Sequence, residues 1–358
     1  MIQEVTKGKD FTGEKIYVGI DVHYKSWSVS IYSEEFELRT FSQPPDVKKL
    51  SSYLQEHYPN ADYHLAYEAG FCGFWIQRAF EREGISCSVI HPADVPSSDK
   101  ELKRKTDSID SRKIARGIKN RELNAIHIPD EQCEADRFLV RTRSRLVHDI
   151  TGVKNRIKAF LKINGVAVPD CFKTGNWTNR FIGWLNTIAF DGQSATIALS
   201  IYIREIEFLL AKEKELQQSI RSLASSERYV MKMVLLSAIP SIGLISGMTF
   251  LTEIGDIKRF SKLEHLCSYC GLTPDCHNSG QTERIGGMSR RGNHYIKSVL
   301  IECAWMALRK DPALLLYYKQ LLPRMNPNKA VIKVARKLLN RIRYVLINEK
   351  EYVTGIVA

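Results

Sequence analysis

Residues 16–32 constrain the fold of this chain more than any other segment, because they predict two adjacent strands joined by a tight turn. An apolar run ends at Asp21, and a polar break follows it. Apolar and polar residues then alternate over 27–32, which is the period-two pattern of a β-strand. The segment therefore predicts a hairpin with a carboxylate at its mouth.

The residues that follow continue an alternation of strands and helices. Further elements are predicted as a strand at 37–41, a helix that begins after 46, a strand at 64–67, a helix at 74–83 and a strand at 85–90. Three strands, helix, strand, helix, strand is the order of an α/β domain with a mixed sheet. Phe74 and Trp75 are predicted to lie in its core.

Much of the remaining chain is predicted to be helical and basic. Residues 137–162 hold eight Lys or Arg and one acid, and residues 319–343 hold eight and no acid. Over the whole chain, 52 Lys and Arg exceed 40 Asp and Glu, a net charge of +12. This balance indicates a polyanionic partner, most simply nucleic acid, with a membrane surface as the second option. Near-helical apolar spacing over 196–225 is compatible with a coiled-coil arm.

Composition excludes several classes of protein. With 44% hydrophobic and 26% charged residues, the chain is neither collagen-like nor wholly disordered. Eight scattered cysteines behind a polar start indicate reduced thiols in the cytoplasm. Cys267 and Cys270 could begin a zinc site, but burial in an apolar helix is the preferred interpretation.

Residues 233–251 carry no charge and approach the length of a membrane span. Because Pro240, Gly243 and Gly247 interrupt them, a buried turn between two helices is preferred. This pattern resembles a helix–hairpin–helix element, whose turn presents backbone N–H groups to a phosphate backbone.

Four acids stand where predicted strands end or a helix begins: Asp21, Glu68, Asp107 and Asp110. The last two are three residues apart, so a helical turn places both on one face. Converging carboxylates repel one another unless cations hold them, and oxygen ligands suit Mg²⁺ or Mn²⁺. Two such ions about 4 Å apart support phosphodiester cleavage. On spacing alone, ordinary turn and helix N-terminal acids remain an equal alternative.

An actin-like ATPase fold also begins with an Asp-tipped hairpin. Its phosphate loop needs glycine soon after the aspartate, so that the backbone can approach the phosphate. Here the bulky residues 22–24 follow Asp21, which disfavours that fold. His23 among them is interpreted as a residue of the hairpin turn.

Blocks in both halves of the chain resemble the DEDD transposases of insertion sequence family one-ten. The acidic blocks are GIDVH at 19–23, YEAG at 67–70 and KTDSID at 105–110. Three further blocks resemble the second domain of the family: AIPSIG at 238–243, YCGLTP at 269–274 and HNSGQTERIGGMSRRGN at 277–293. Together the blocks extend over about residues 15–313.

The resemblance implies an α/β plus all-α protein of four parts. The first part is a RuvC-like RNase H-fold catalytic domain over 15–165, and the second is a helical coiled-coil insertion over 166–232. The third is a small helical transposase domain over 233–325, with a serine loop and a helix-hairpin-helix-like element. The fourth is a basic C-terminal helix over 326–358. It also implies DNA strand cleavage and exchange at element ends, guided by a structured non-coding bridge RNA. The implied setting is a homo-oligomer, a dimer or tetramer, in the cytoplasm of a prokaryotic cell at its nucleoid, without a membrane.

The same resemblance assigns the site. Asp21, Glu68, Asp107 and Asp110 are the implied ligands of Mg²⁺ or Mn²⁺, and Ser279 is the implied nucleophile. Attack by a serine stores the bond energy of the phosphodiester in a phosphoserine link, so religation needs no ATP. The residues predicted to contact nucleic acid are Lys103, Arg104, Lys105, Arg141, Arg145, Lys154, Lys158, Arg284, Arg290 and Arg291.

The serine block departs from the family pattern at two positions, since Asn278 and Gln281 stand where Ser and Gly are more usual. Two other functions therefore stay open. One is a RuvC-like, junction-resolvase-like nuclease in which water replaces the serine. The other is a basic binding protein with a degenerate acidic centre, against which the intact acidic blocks speak.

Overall fold

The structure, a computed structural model, describes residues 10–96, 106–172, 177–279, 282–289 and 291–354, with 275–279 and 282–286 described by their backbone only. By its contacts the chain divides into two compact units, Met1–Ile128 and Pro129–Ala358. The four domain ranges given above stay predictions.

The first unit is built on a mixed sheet. Its strands are β1 (Lys15–Val22), β2 (Trp27–Tyr32), β3 (Glu37–Gln43), β4 (Asp62–Glu68) and β5 (Ser86–Ile90), and its helices are α1 (Val47–His57), α2 (Trp75–Arg82) and α3 (Asp107–Lys119). The strand order is β3-β2-β1-β4-β5; β1, β4 and β5 are parallel, and β2 is antiparallel to both of its neighbours. The predicted hairpin and mixed α/β order are confirmed.

The two faces of this sheet differ in chemistry. One face carries fully buried apolar side chains such as Ile20 and Val29, which pack in one core with α1 and α2. On the other face Ser28 and Ser30 form hydrogen bonds with Ser111 of α3, at 3.2 and 2.8 Å. Helix α3 therefore packs closely against the face that carries these small polar side chains.

The second unit is mainly helical. Its helices are α4 (Glu131–Ile163), α5 (Asn179–Leu185), α6 (Gln193–Ala224), α7 (Val230–Ser237), α8 (Leu244–Ile254), α9 (Leu263–Tyr269), α10 (His294–Ala307), α11 (Pro312–Leu321) and α12 (Pro327–Asn348). Strands β6 (Pro274–Ser279) and β7 (Thr282–Met288) form an antiparallel hairpin between α9 and α10. A mixed α/β unit followed by a helical one agrees with the predicted fold class.

The long helices α4 and α6 pack against each other in opposite directions. Arg143 near the middle of α4 pairs with Glu213, and Arg156 further along pairs with the earlier Glu205, both at 2.8 Å. Apolar residues from both helices, such as Ile157 and Ile203, are buried between them.

A second core in this unit joins α7–α12. It includes Leu236 of α7, Phe250 of α8 and Leu338 of α12, all fully buried. The Pro- and Gly-containing turn between α7 and α8 lies where the sequence predicts it. Among the helices that the structure describes, none is long and apolar enough to cross a membrane.

Candidate active site

Asp21 and Glu68 lie at the same edge of the first sheet. Strands β1 and β4 are parallel with Ile20 opposite Tyr67, and each acid is the next residue of its strand. Because side chains alternate along a strand, both acids belong to the face that α3 covers. The expectation that these two acids meet at one end of the sheet thus agrees with the strand register.

Helix α3 brings Asp107 and Asp110 to this edge because it packs directly on β1 at Gly19. A Cβ atom at Gly19 would lie 2.1 Å from the carbonyl oxygen of Ser111 and 2.4 Å from the amide nitrogen of Ala115. Both acids lie in the first turn of α3, within one turn of Ser111. Because Gly19 has no side chain, α3 packs closely enough on β1 to bring the two acids to this edge.

Three side chains form a compact cluster there. The Nε2 atom of His23 lies 3.1 Å from Oδ2 of Asp21 and 3.5 Å from Oδ1 of Asp107. One ligand atom from each of the three residues lies within 4.8 Å of the other two. Within the described ranges, this is the one group of His, Cys, Asp or Glu side chains close enough to share a metal ion.

The electrostatics of the cluster are those of a cation site. Burial raises the pKa of Asp21, and the negative charges of Asp107 and Asp110 raise it further, against a lowering by His23. The charged form of Asp21 is therefore disfavoured, chiefly by burial, and a bound cation would relieve that cost. Carboxylate oxygens are the ligands that Mg²⁺ and Mn²⁺ prefer, so the acids present fit a divalent cation.

The other two acids have different surroundings. Asp110 accepts a hydrogen bond from the ammonium group of Lys113 at 3.2 Å, and the side chain of Lys113 is only 8% exposed. Glu68 is half-buried at the end of β4. The full set of four metal ligands stays a prediction, while Asp21 and Asp107 are in the cluster itself.

Two features of the site do not follow from the sequence pattern. His23 has the expected role in the hairpin turn through its backbone hydrogen bond to Ser26, but its ring also contacts two of the acids. Gly19 is visible in the sequence only as part of a motif. The alternating Ser28 and Ser30 on the neighbouring strand are the signal that could have indicated a close helix contact.

One sequence prediction in this region is wrong. Trp75 is not in the core, since it is 51% exposed at the first position of α2. Phe74, the residue before it, is half-buried. The apolar run around the turn does not distinguish an inward from an outward position.

The serine loop lies in the second unit. Ser279 is the last residue of β6 and pairs with Thr282 at the tip of the hairpin, and its side chain is outside the described residues. Arg291 is exposed at the end of the loop. The side chain of Arg284 and the whole of Lys103, Arg104, Lys105 and Arg290 also lie outside the described residues.

The predicted cationic residues of α4 fall into two kinds. Arg145 and Lys158 are exposed. Lys154 is half-buried with its ammonium group 5.5 Å from the ring centre of Trp177, and burial followed by the charge of Lys158 lowers its pKa. Arg141 instead forms two hydrogen bonds with the buried carboxylate of Glu253, at 2.6 and 2.7 Å. Arg145 and Lys158 are thus more accessible to nucleic acid than Lys154 and Arg141 are.

Two family models match the chain, one over the first unit and the start of the second, the other within the second unit. Residues 18–164 match the DEDD model described as "Transposase", which includes the acid cluster. Residues 233–319 match the model described as "Transposase IS116/IS110/IS902 family", which includes the serine loop.

Curated proteins are similar over most of the chain. A putative transposase of Sinorhizobium fredii is 30% identical over 299 residues, which span 81% of this chain and 71% of the relative. The transposase for insertion sequence element IS1533 of Leptospira borgpetersenii is 26% identical over 250 residues, 68% of this chain and 71% of the relative. The transposase for IS1111A of Coxiella burnetii is 24% identical over 293 residues, 80% of this chain and 78% of the relative.

Proposed function

The chain belongs to the IS116/IS110/IS902 family of transposases and is a DNA transposase, and from that premise we propose how it acts. It cleaves and exchanges DNA strands at the ends of an insertion sequence, with an acidic metal site in the first unit and a serine nucleophile in the second. A structured non-coding RNA from the element guides the reaction, and the active form is a homo-oligomer.

The observation that carries this proposal is the cluster of Asp21, His23 and Asp107. Asp21 is partly desolvated and lies beside Asp107, as expected of a cation site. When bound, Mg²⁺ or Mn²⁺ would stabilise the charge that develops on the reacting phosphate. Asp21 and Asp107 would hold the cation, Glu68 and Asp110 would complete the ligand set, and His23 would orient the two nearest carboxylates.

Ser279 supplies the nucleophile in this proposal. Its Oγ loses a proton and bonds to phosphorus, while the bond from phosphorus to one sugar oxygen breaks and that oxygen takes up a proton. Attack of a different DNA hydroxyl on the phosphoserine reverses the step and joins new strands. Arg284, Arg290 and Arg291 hold the phosphate oxygens and offset the added negative charge.

The basic helices account for binding in this proposal. Arg145, Lys154 and Lys158 of α4 contact the phosphate backbone of DNA or guide RNA, as do Lys103, Arg104 and Lys105, which precede Asp107 in the sequence. The net charge of +12 supports an extended polyanion contact. The antiparallel helices α4 and α6 serve as the coiled-coil arm, and the turn between α7 and α8 serves as the helix-hairpin-helix-like contact to phosphate.

A second function is favoured by one specific observation. The three residues of the cluster all belong to the first unit, whereas Ser279 belongs to the second. A RuvC-like nuclease that hydrolyses DNA with an activated water would use the same acids.

Covalent trapping separates the two functions. The chain is incubated with a nicked substrate that carries an element end, and products are resolved by denaturing electrophoresis. A protein–DNA adduct that is lost in Ser279→Ala, with DNA binding retained, supports the serine mechanism. Strand exchange by Ser279→Ala at the native rate would overturn it in favour of hydrolysis.

The same assay tests the metal site. Asp21→Asn should abolish cleavage, since it removes a charged ligand from the cluster. Asp62→Asn is the matched control, because Asp62 is an exposed acid at the opposite end of β4 whose carboxylate contacts His64 at 2.9 Å. Cleavage by Asp21→Asn at the native rate would remove this acid from the mechanism.

A further inference from the structure

Three large aromatic side chains in the first unit are strongly exposed. Tyr24 is 84%, Phe71 is 70% and Trp75 is 51% exposed. Isolated exposed apolar residues are ordinary on a protein surface, but these three follow the acids of the candidate site in sequence. Their position therefore bears on what the site binds.

All three lie at the sheet edge that carries the acids. Tyr24 is in the turn between β1 and β2, three residues after Asp21. Phe71 is three residues after Glu68, in the turn that leads to α2, and Trp75 begins that helix. Since β1 and β4 are parallel neighbours, both turns leave the sheet at the same edge.

Hydrogen bonds hold the backbone on both sides of Phe71. The hydroxyl of Tyr67 donates a hydrogen bond to the carbonyl oxygen of Gly73 at 2.9 Å, and the amide of Ala69 donates to the carbonyl oxygen of Ile90 at 2.8 Å. Cys72, the next residue, is buried, whereas Phe71 is exposed.

Trp75 lies on the other face of the sheet from the acids. Its ring centre is 6.3 Å from that of Trp27, which is fully buried in the core formed with α1 and α2. Tyr24 and Phe71 are therefore the two exposed rings that the proposal uses, and exposed aromatic rings are platforms on which nucleic acid bases stack.

We propose that Tyr24 and Phe71 stack on unpaired DNA bases beside the phosphate that is cleaved. The site at this edge thus takes DNA whose strands are locally separated, because the faces of bases in an intact duplex are covered by their neighbours. This inference depends on the proposed function in one respect, namely that the acidic edge is the place of cleavage.

The experiment compares two DNA duplexes of the same mixed sequence. One is fully paired, and the other contains a bubble of three mismatched nucleotides. Their affinities for the full chain are measured by fluorescence anisotropy, and the ratio of the two cancels contacts to phosphate. The native chain should prefer the bubble. In the double variant Tyr24→Ala/Phe71→Ala this preference should fall by at least about tenfold, since the loss of stacking on even one ring is worth about that factor. The single variant Phe71→Trp should keep the preference for the bubble, whereas Phe71→Leu should reduce it.

Phe36→Ala is the matched control. Phe36 is an exposed aromatic residue between β2 and β3, at the opposite edge of the same sheet. Equal bubble preference in the native chain and the double variant would overturn the inference, as would an equal loss in Phe36→Ala. These outcomes concern binding alone, so they are distinct from failure of the proposed function, which would show as undiminished cleavage by Asp21→Asn.

Discussion

Two partly or fully buried carboxylates, one in each unit, have opposite surroundings. The side chain of Glu253 in α8 is 1% exposed and receives two hydrogen bonds from Arg141 and one from Asn293 at 2.6 Å. The side chain of Asp21 in β1 is 21% exposed and faces other acids, with His23 as its partner at 3.1 Å. Glu253 is compensated by the protein itself, whereas Asp21 is not.

The contrast separates a structural acid from a functional one. A buried carboxylate that has its own guanidinium partners joins elements together, here α4, α8 and the start of α10. A desolvated carboxylate beside other carboxylates destabilises the fold slightly, and that arrangement is useful where a cation or a phosphate-bound cation must bind.

The largest expected effect is on Glu253. Glu253→Gln should destabilise the second unit by about 3–5 kcal/mol, because it leaves Arg141 without its charged partner in a buried setting. Hydrogen exchange of α8 and α10 amides should accelerate accordingly. Asp21→Asn is the contrasting variant, and it should raise stability by less than about 1 kcal/mol, because it removes repulsion at a part-exposed site. If both variants lower stability equally, the contrast between the two acids is lost.

A smaller effect is expected at Gly19. Gly19→Ala places a Cβ atom against the backbone of α3, and overpacking of this kind costs about 1–3 kcal/mol. Because α3 carries Asp107, the variant should also lose DNA cleavage. Urea unfolding and cleavage of an element-end substrate measure the two effects.

Gly183 provides a control of opposite sign. It lies exposed in α5, and an added methyl group would meet no heavy atom of the described residues within 4 Å. Gly183→Ala should therefore raise stability by about 0.5–1 kcal/mol. Native stability and cleavage in Gly19→Ala would mean that the close approach of α3 does not position the acids.

The acidic edge was largely predictable because its signals are local. The alternation in β1 and β2, and acids placed directly after apolar runs, predict which residues reach the edge. Asp107 and Asp110 follow from their spacing at the start of a helix. The contact of His23 with Asp107 did not follow, since it depends on how α3 packs on the sheet.

The pairing in the second unit could not be read from the sequence. Arg141 and Glu253 are 112 residues apart, and their contact exists only because α4 packs on α8. A run of cations in α4 therefore predicts a basic surface without revealing which guanidinium groups are used internally. The outward position of Trp75 is unpredictable for a related reason, because its exposure is set by the turn that precedes α2.

The cations of α4 give the next effect. Replacing Arg145 and Lys158 together with alanine should reduce the slope of log affinity against log salt by about 2, because each exposed cation neutralises about one phosphate. Stability should be unchanged. Arg141→Ala should instead lower stability, since its guanidinium group is bound to Glu253. An unchanged salt slope in the double variant would exclude these two cations from the nucleic acid contact.

The smallest effect is a difference in how two acids respond to pH. Burial by itself would raise the pKa of Asp311, but hydrogen bonds from Tyr352 and from the amide of Leu314, together with Arg341 at 2.6 Å, hold it below its ordinary value. A lowered pKa in the folded state means that Asp311 stabilises the fold above the unfolded-state pKa of about 4, and that this stability is lost as the pH falls. The raised pKa of Asp21 has the opposite effect on stability, since protonation as the pH falls relieves the folded state of a buried charge and of repulsion from Asp107 and Asp110.

In urea unfolding with a chelator present, Asp311→Asn should therefore be less stable than the native chain at pH 7, by on the order of 1 kcal/mol. Asp21→Asn should be slightly more stable. Both differences should shrink between about pH 5 and pH 3, because protonation of the native acid removes the charge that each variant lacks. As the pH falls, the stability of Asp311→Asn should therefore approach the native value from below, and that of Asp21→Asn should approach it from above. Differences that stay constant over this range would mean that neither charge sets stability, and the distinction between a compensated and an uncompensated acid would then rest on geometry alone.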